Sequence, residues 1–300
     1  MTARRVSHLL LLLALAMLST VQAGATGASA ATVPAPYPWE DHLRGNSIVL
    51  LGEVHDNGTL QHLRFDVLQR AVAAGWRPAI AMEQFDRGHQ QDIDQARKLR
   101  PLDADYLIKQ AAPAHGSSGW NWAYYRPYVA LALQYRLPLL AVNLSRSDAE
   151  RIVYHGYGAV FDAKEIDSLG LNRALPTLLM RQEHDVDEGH CHLLPKNLLP
   201  GMARAQFARD AVMAAIIQAH SANGIVLLTG DGHVQKDLDV PQWLAPAALR
   251  RTFAVGFEER GSESPAGTYD AVVLGAPARR SDACADLQKS LKQSPPRPSR

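Results

Sequence analysis

The chain has 300 residues, 47% of them apolar, enough for one large or two small globular domains with a buried core. Its 31 Lys and Arg against 30 Asp and Glu leave a net charge of +1, which excludes nucleic-acid binding by bulk electrostatics. Two cysteines, Cys191 and Cys284, stand far apart, and the sequence leaves open whether they pair.

The N-terminus reads as a targeting segment. Arg4 and Arg5 precede the run LLLLLALAML from Leu9 to Leu18, and Val21-Gln22-Ala23 ends on a small residue. These are the parts of a secretory signal peptide over residues 1–23, too short to span a bilayer comfortably. No cysteine near the cleavage site offers a lipid attachment point, so the expectation is export to the periplasm or cell envelope. Residues 24–38, rich in Ala, Thr, Gly and Pro, read as a flexible lead.

An α/β rhythm follows over residues 39–275. Ser47–Leu51 reads as a buried strand, Thr59–Ala74 as an amphipathic helix stopped by Gly75, and Ala79–Met82 as a second strand. Helical spacing runs over Arg87–Leu99 and Asp103–Ala112. It returns over Pro127–Tyr135, with proline at the helix start. Strands are expected at Leu137–Val142, Gly224–Thr229, Thr252–Phe257 and Tyr269–Leu274, with an Ala-rich helix at Ala203–Ala222. Continuously apolar strands alternating with helices imply a mostly parallel sheet flanked by helices. Residues from about 148 to 200 break the rhythm and read as an inserted helical segment or cap. Residues 276–300 are expected to be a disordered tail.

The chemistry gathers where strands end. SIVLL runs into Gly52-Glu53-Val54-His55, AIAM into Glu83, LPLLAV into Asn143-Leu144-Ser145-Arg146, and GIVLLT into Gly230-Asp231-Gly232-His233. In a parallel sheet these ends share the edge where ligands bind. Glu53, His55, Glu83 and His233, with Arg209 as an anion holder, form a candidate catalytic set. His55, His233 and Glu83 are equally a candidate set for a divalent metal. Gln206, Arg209, Asp210 and Met213 fall on one helical face beside them. The aromatic run from Trp120 to Tyr128 suits core or lid packing, and also the flat walls and phenol that a porphyrin needs. His184, His190, Cys191 and His192 cluster in the inserted segment, where a labile metal or haem contact is open.

Six segments carry a family resemblance: GEVHDN (52–57), AMEQFDR (81–87), WNWAYYRPYVALA (120–132), HCHLLP (190–195), MARAQFARDAVMA (202–214) and LLTGDGHVQKDLDVPQWL (227–244). Together, and in this order, they resemble the ChaN family, described as haem-binding uptake proteins of the Tiki superfamily. The resemblance implies an exported haem-binding protein acting in haem or iron uptake, with haem held between two subunits of a homodimer and ligated by tyrosine. The candidate ligands are Tyr125 and Tyr154, with His190, Arg146 and Asp210 as further cofactor contacts. An outer-membrane haem receptor is the implied partner. The superfamily also contains proteases and erythromycin-esterase-like enzymes, so a metal-assisted hydrolase is the alternative reading of the same strand-end residues.

Overall fold

The computed structural model describes residues 36–45, 47–112 and 120–293. The expected signal peptide, most of the lead and the last seven residues lie outside them. The strands are β1 (Ile48–Glu53), β2 (Ala79–Asp86), β3 (Leu139–Asn143), β4 (Ile225–Gly230), β5 (Thr252–Glu259) and β6 (Ala271–Gly275). The helices before the third strand are α1 (Gly58–Ala73), α2 (Gln90–Leu99), α3 (Ala104–Ala111) and α4 (Trp122–Gln134). After it come α5 (Arg146–His155), α6 (Ala163–Leu169), α7 (Pro176–Gly189), α8 (Leu199–Ala219), α9 (Pro246–Leu249) and α10 (Ala283–Gln293).

The six strands form one all-parallel sheet in the order β3-β2-β4-β1-β5-β6. Alternate residues of β1 divide between its two faces, as a strand period of two requires. Val49 and Leu51 pack with Leu60, Val67 and Leu68 of α1 and with Tyr125 and Tyr128 of α4. Ile48 and Leu50 pack with Met213, Ala214 and Ile217 of α8. Each fully buried Leu or Ile here contributes about 2 kcal/mol. Helix α8 is apolar on a second side as well. Ala205, Ala208, Ala211 and Val212 meet Ala149 and Ile152 of α5, together with Phe161 and Leu171. Small residues let these helices approach closely, and a Cβ on Gly201 would lie 2.3 Å from the Val153 carbonyl oxygen. The inserted helices are thereby fixed to the same helix that covers the sheet.

Strand β3 is an edge, and the fold caps it with a side chain. The amide of Gln90 donates to Leu139 O (3.1 Å) and accepts from Ala141 N (2.8 Å), imitating a neighbouring strand.

Three sequence expectations change. Helix α4 starts five residues before Pro127, because Asn121 accepts from Ala123 N (3.2 Å) and caps it there. Pro127 therefore lies inside the helix and forfeits one backbone hydrogen bond. The stretch from 276, read as a disordered tail, contains α10 and an anchored approach to it. Arg280 pairs with Asp56 (2.8 Å) and Glu259 (2.6 Å), and Cys284 is disulfide-bonded to Cys191 with Cα atoms 5.7 Å apart. That bond settles the pairing left open by the sequence and removes Cys191 from the free thiolate ligands. Among the described residues no helix is long and apolar enough to cross a membrane.

Candidate functional site

The carboxyl ends of β1, β2, β3 and β4 converge on a cleft of about 510 Å³ lined by His55, Glu83, Asp86, Trp120, Arg209 and His233, among others. Its glycines are needed for contact. A Cβ on Gly230 would come 2.9 Å from His55 Cε1 and 3.9 Å from Glu83 Oε2, so His55 and Glu83 flank one bare stretch of backbone.

Glu53, the last residue of β1, is buried behind His55. Its carboxylate pairs with the guanidinium of Arg64 from α1, accepts from the Tyr125 hydroxyl (2.5 Å), and meets His55 Nδ1 (3.0 Å). Arg64 is fully buried and donates also to Tyr128 Oη, Gln61 Oε1 and the Leu51 and Thr229 carbonyls at 3.0–3.3 Å. Burial, then the neighbouring Glu53 carboxylate, push the Tyr125 phenol far above its ordinary value. Burial alone would lower the His55 imidazole, but Glu53 and Glu83 outweigh it and hold it up. The His55 ring also stands edge-on to Trp120, with centroids 4.7 Å apart.

A second network lies opposite. Glu83 Oε2 accepts from Thr229 Oγ1 (2.7 Å) and Gly230 N (2.9 Å), and Oε1 faces His233 Nε2 at 3.7 Å. His233 Nδ1 is bound to Asp210 Oδ1 at 2.6 Å, and Asp210 is wholly buried. Burial would raise the Glu83 carboxyl, yet the charges of His233 and His55 and the two hydrogen bonds bring it below its usual range. Burial would likewise lower His233, and the Asp210 and Glu83 carboxylates more than reverse that. The arrangement places the His233 imidazole between two carboxylates, with Asp210 supplied by α8. At the rim, burial pushes the Asp231 carboxyl up to about 6.

Arg209 crosses the cleft from α8, bonded to the Asn143 side chain and to Leu144 O (3.3 Å), not to Glu53 or Glu83. Arg146, Gln206 and Arg209 line the cleft and also an adjoining groove of about 460 Å³ between α5, α7 and α8. The rest of that groove includes Val153, Tyr154, His190, Leu198 and Met202. Tyr154 is 51% exposed. His190 Nδ1 lies 2.7 Å from Val186 O, a carbonyl that can only accept, so Nδ1 carries a proton and Nε2 is the nitrogen not engaged by that carbonyl.

The candidate residues thus divide between two adjoining places. Glu53, His55, Glu83, Arg209 and His233 meet at the cleft, with Asp210 behind His233. Tyr154 and His190 line the groove, and Arg146 stands where the two join. Tyr125, offered as a haem ligand, is fully buried with its hydroxyl bonded to Glu53. His55 and His233 both stand by Glu83, yet among the described residues no group of three His, Cys, Asp or Glu side chains is arranged to hold a metal ion. Arg64 and Thr229 are central and were not singled out from the sequence. The signal for Arg64 was a charged residue at the buried spacing of α1, between Leu60 and Leu68.

A family model described as "Haem-binding uptake, Tiki superfamily, ChaN" matches residues 39–244. Among solved structures the chain is similar to ChaN of Campylobacter jejuni, whose description is cofacial heme binding. The TM-score is 0.56 at 22% identity, covering 77% of this chain and 88% of that one. It is also similar to a mutant of the erythromycin esterase EreC in its open conformation, at TM-score 0.42 and 15% identity, covering 75% of each chain. No curated protein matches the chain. At 22% identity the likeness to the Campylobacter structure shows a shared fold alone.

Proposed function

The chain belongs to the ChaN family of haem-binding uptake proteins in the Tiki superfamily, and from that premise we propose that it binds haem in the groove between α5, α7 and α8. The observation that carries this is a half-exposed tyrosine, Tyr154, lining an apolar groove whose mouth holds Arg146 and Arg209. Bound ferric haem would supply a Lewis-acidic iron and two carboxylates. Tyr154 and the free Nε2 of His190 suit the iron, and the two arginines suit the propionates. Val153, Leu198 and Met202 suit the ring. The groove is open on one side, which favours a homodimer in which a second copy covers the haem. The disulfide fits an oxidising space, and with the expected signal peptide it supports a role in haem or iron uptake in the periplasm or cell envelope, with an outer-membrane haem receptor as partner.

Titration of the purified protein with hemin should give a saturable shift of the Soret band. Tyr154→Phe should abolish or displace that shift, and Tyr125→Phe should leave its position unchanged. A wild-type spectrum that never saturates, or one indifferent to Tyr154→Phe, removes Tyr154 from the site.

One observation favours a second reading. The buried Asp210–His233–Glu83 chain opens on a different space from the groove, and haem binding there does not require it. It suits the hydrolase alternative, with Glu83 or His233 as base on a water, His55 as acid, and Arg209 beside the developing negative charge. A screen with peptide and ester substrates tests it. Turnover that disappears in Glu83→Gln supports the reading, and absence of turnover by folded wild-type protein sinks it.

A further inference from the structure

We infer that the Cys191–Cys284 disulfide is a redox clasp that holds the His190 side of the groove in its binding arrangement and releases it on reduction. The inference rests on the haem reading above and deepens it.

The clasp joins two parts of the chain with few other ties. Cys191 follows His190 directly, at the end of α7. Cys191 and His192 both take left-handed backbone, with φ of 56° and 57°, and among the described non-glycine residues only Arg136 shares this. That conformation is unfavourable for residues carrying a Cβ and persists only when its surroundings enforce it. Three local bonds support the turn: Cys191 N to Glu188 O (2.8 Å), His192 N to Asp187 O (2.9 Å), and His192 Nδ1 to Asp187 Oδ2 (2.8 Å). The disulfide then ties it to α10, across 93 residues of chain.

On the other side, α10 leans on the clasp. No described residue of this helix joins the three apolar clusters. Its first turn is capped from within, by Asp282 on Cys284 N (2.9 Å) and Ala285 N (3.1 Å). The preceding chain is anchored at Arg280, and beyond that point the disulfide is its covalent hold on α7. Cys284 is an exposed residue, whereas Cys191 is half-buried, so the Cys284 end is the side from which a thiolate approaches.

The exchange balances with a dithiol as the named reductant. Its thiolate attacks Cys284 Sγ, and Cys191 departs as a thiolate that takes a proton. The second thiol of the reductant then displaces Cys284 from the mixed disulfide. The protein gains two electrons and two protons, and the dithiol becomes a disulfide. Freed of the clasp, the left-handed turn relaxes toward ordinary backbone. His190 then loses its fixed place in the wall of the groove that Tyr154 also lines, and the ligand is held less tightly.

The full chain should be titrated with zinc protoporphyrin, whose metal a dithiol does not reduce. Oxidised wild type, dithiol-reduced wild type and Cys284→Ser are compared, with limited proteolysis of α10 in parallel. The expected result is about tenfold weaker binding in the last two, together with faster cleavage at α10. Equal affinity in all three overturns the clasp, whether or not α10 is cleaved faster. Should Cys284→Ser fail to fold, reduced wild type decides. If no form binds the porphyrin, the haem reading fails, and the clasp is then judged on the imidazole nitrogen resonances of His190. A bond to Val186 that is lost on reduction supports it, and one that is unchanged refutes it.

Discussion

Replacing Arg64 with Met will lower stability by roughly 3–5 kcal/mol, because it leaves the buried Glu53 carboxylate without its guanidinium partner. Arg64 is fully buried, as is the carboxylate it pairs with, and four further acceptors depend on the same side chain. Two of those acceptors are the carbonyls of Leu51 and Thr229, on the adjacent strands β1 and β4, so the guanidinium also fastens the two strands that present His55 and His233. Urea unfolding of Arg64→Met, Glu53→Leu and the double variant separates pair from part. The double variant should lose less than the sum of the single losses, since removing both charges leaves no orphan. Additive losses, or a cost for Arg64→Met below about 1 kcal/mol, would show that Glu53 finds another counter-charge or a proton.

The same network shows what a single sequence can and cannot reveal. The strands were legible because β1 to β4 are buried on both faces and read as short continuous apolar runs, and β6, though half-exposed at the sheet edge, keeps the apolar run 271–274. Their ends were less so. β1 runs on through Glu53 and β2 through Asp86, so the polar residues read as following the strands are their last members. That the strand ends share one cleft followed from parallel topology alone. The partners did not follow. The family resemblance offered Tyr125 as a ligand, but its hydroxyl meets Glu53 across 72 residues, a pairing set by how α4 packs on α1 and the sheet. Asp210 was placed near the site by helical spacing, yet its attachment to His233 depends on α8 lying over β4. Arg64 had only its spacing to betray it. Met213 shares the helical face of Asp210 and packs into the core beside the sheet, so that face is buried and not a solvent stripe.

His233 turns this burial into a pH dependence. Its imidazole is held above the ordinary histidine value by Asp210 and Glu83, against burial, with Arg209 opposing. A base whose folded pKa is raised adds stability that is complete below its unfolded value, near 6.5, and is lost as pH rises through the folded value. Glu83 behaves oppositely: its lowered carboxyl adds stability above about 4.5 that is lost as pH falls through the folded value. Between those limits both contributions coexist, and the imidazolium–carboxylate chain is intact. His233→Asn removes the first contribution and leaves the second. The stability difference between wild type and His233→Asn should therefore be largest near pH 5.5, roughly 1.5–3 kcal/mol for a buried hydrogen bond to a charged group, and should shrink as pH rises past neutrality. Urea unfolding of both proteins at pH 5.5, 7 and 8.5 measures it. A difference that stays constant across the three would mean that His233 is neutral throughout. Its Nδ1–H would then donate to an ionised Asp210, and Nε2 would face Glu83 as a lone pair, able to accept a proton but with none to give.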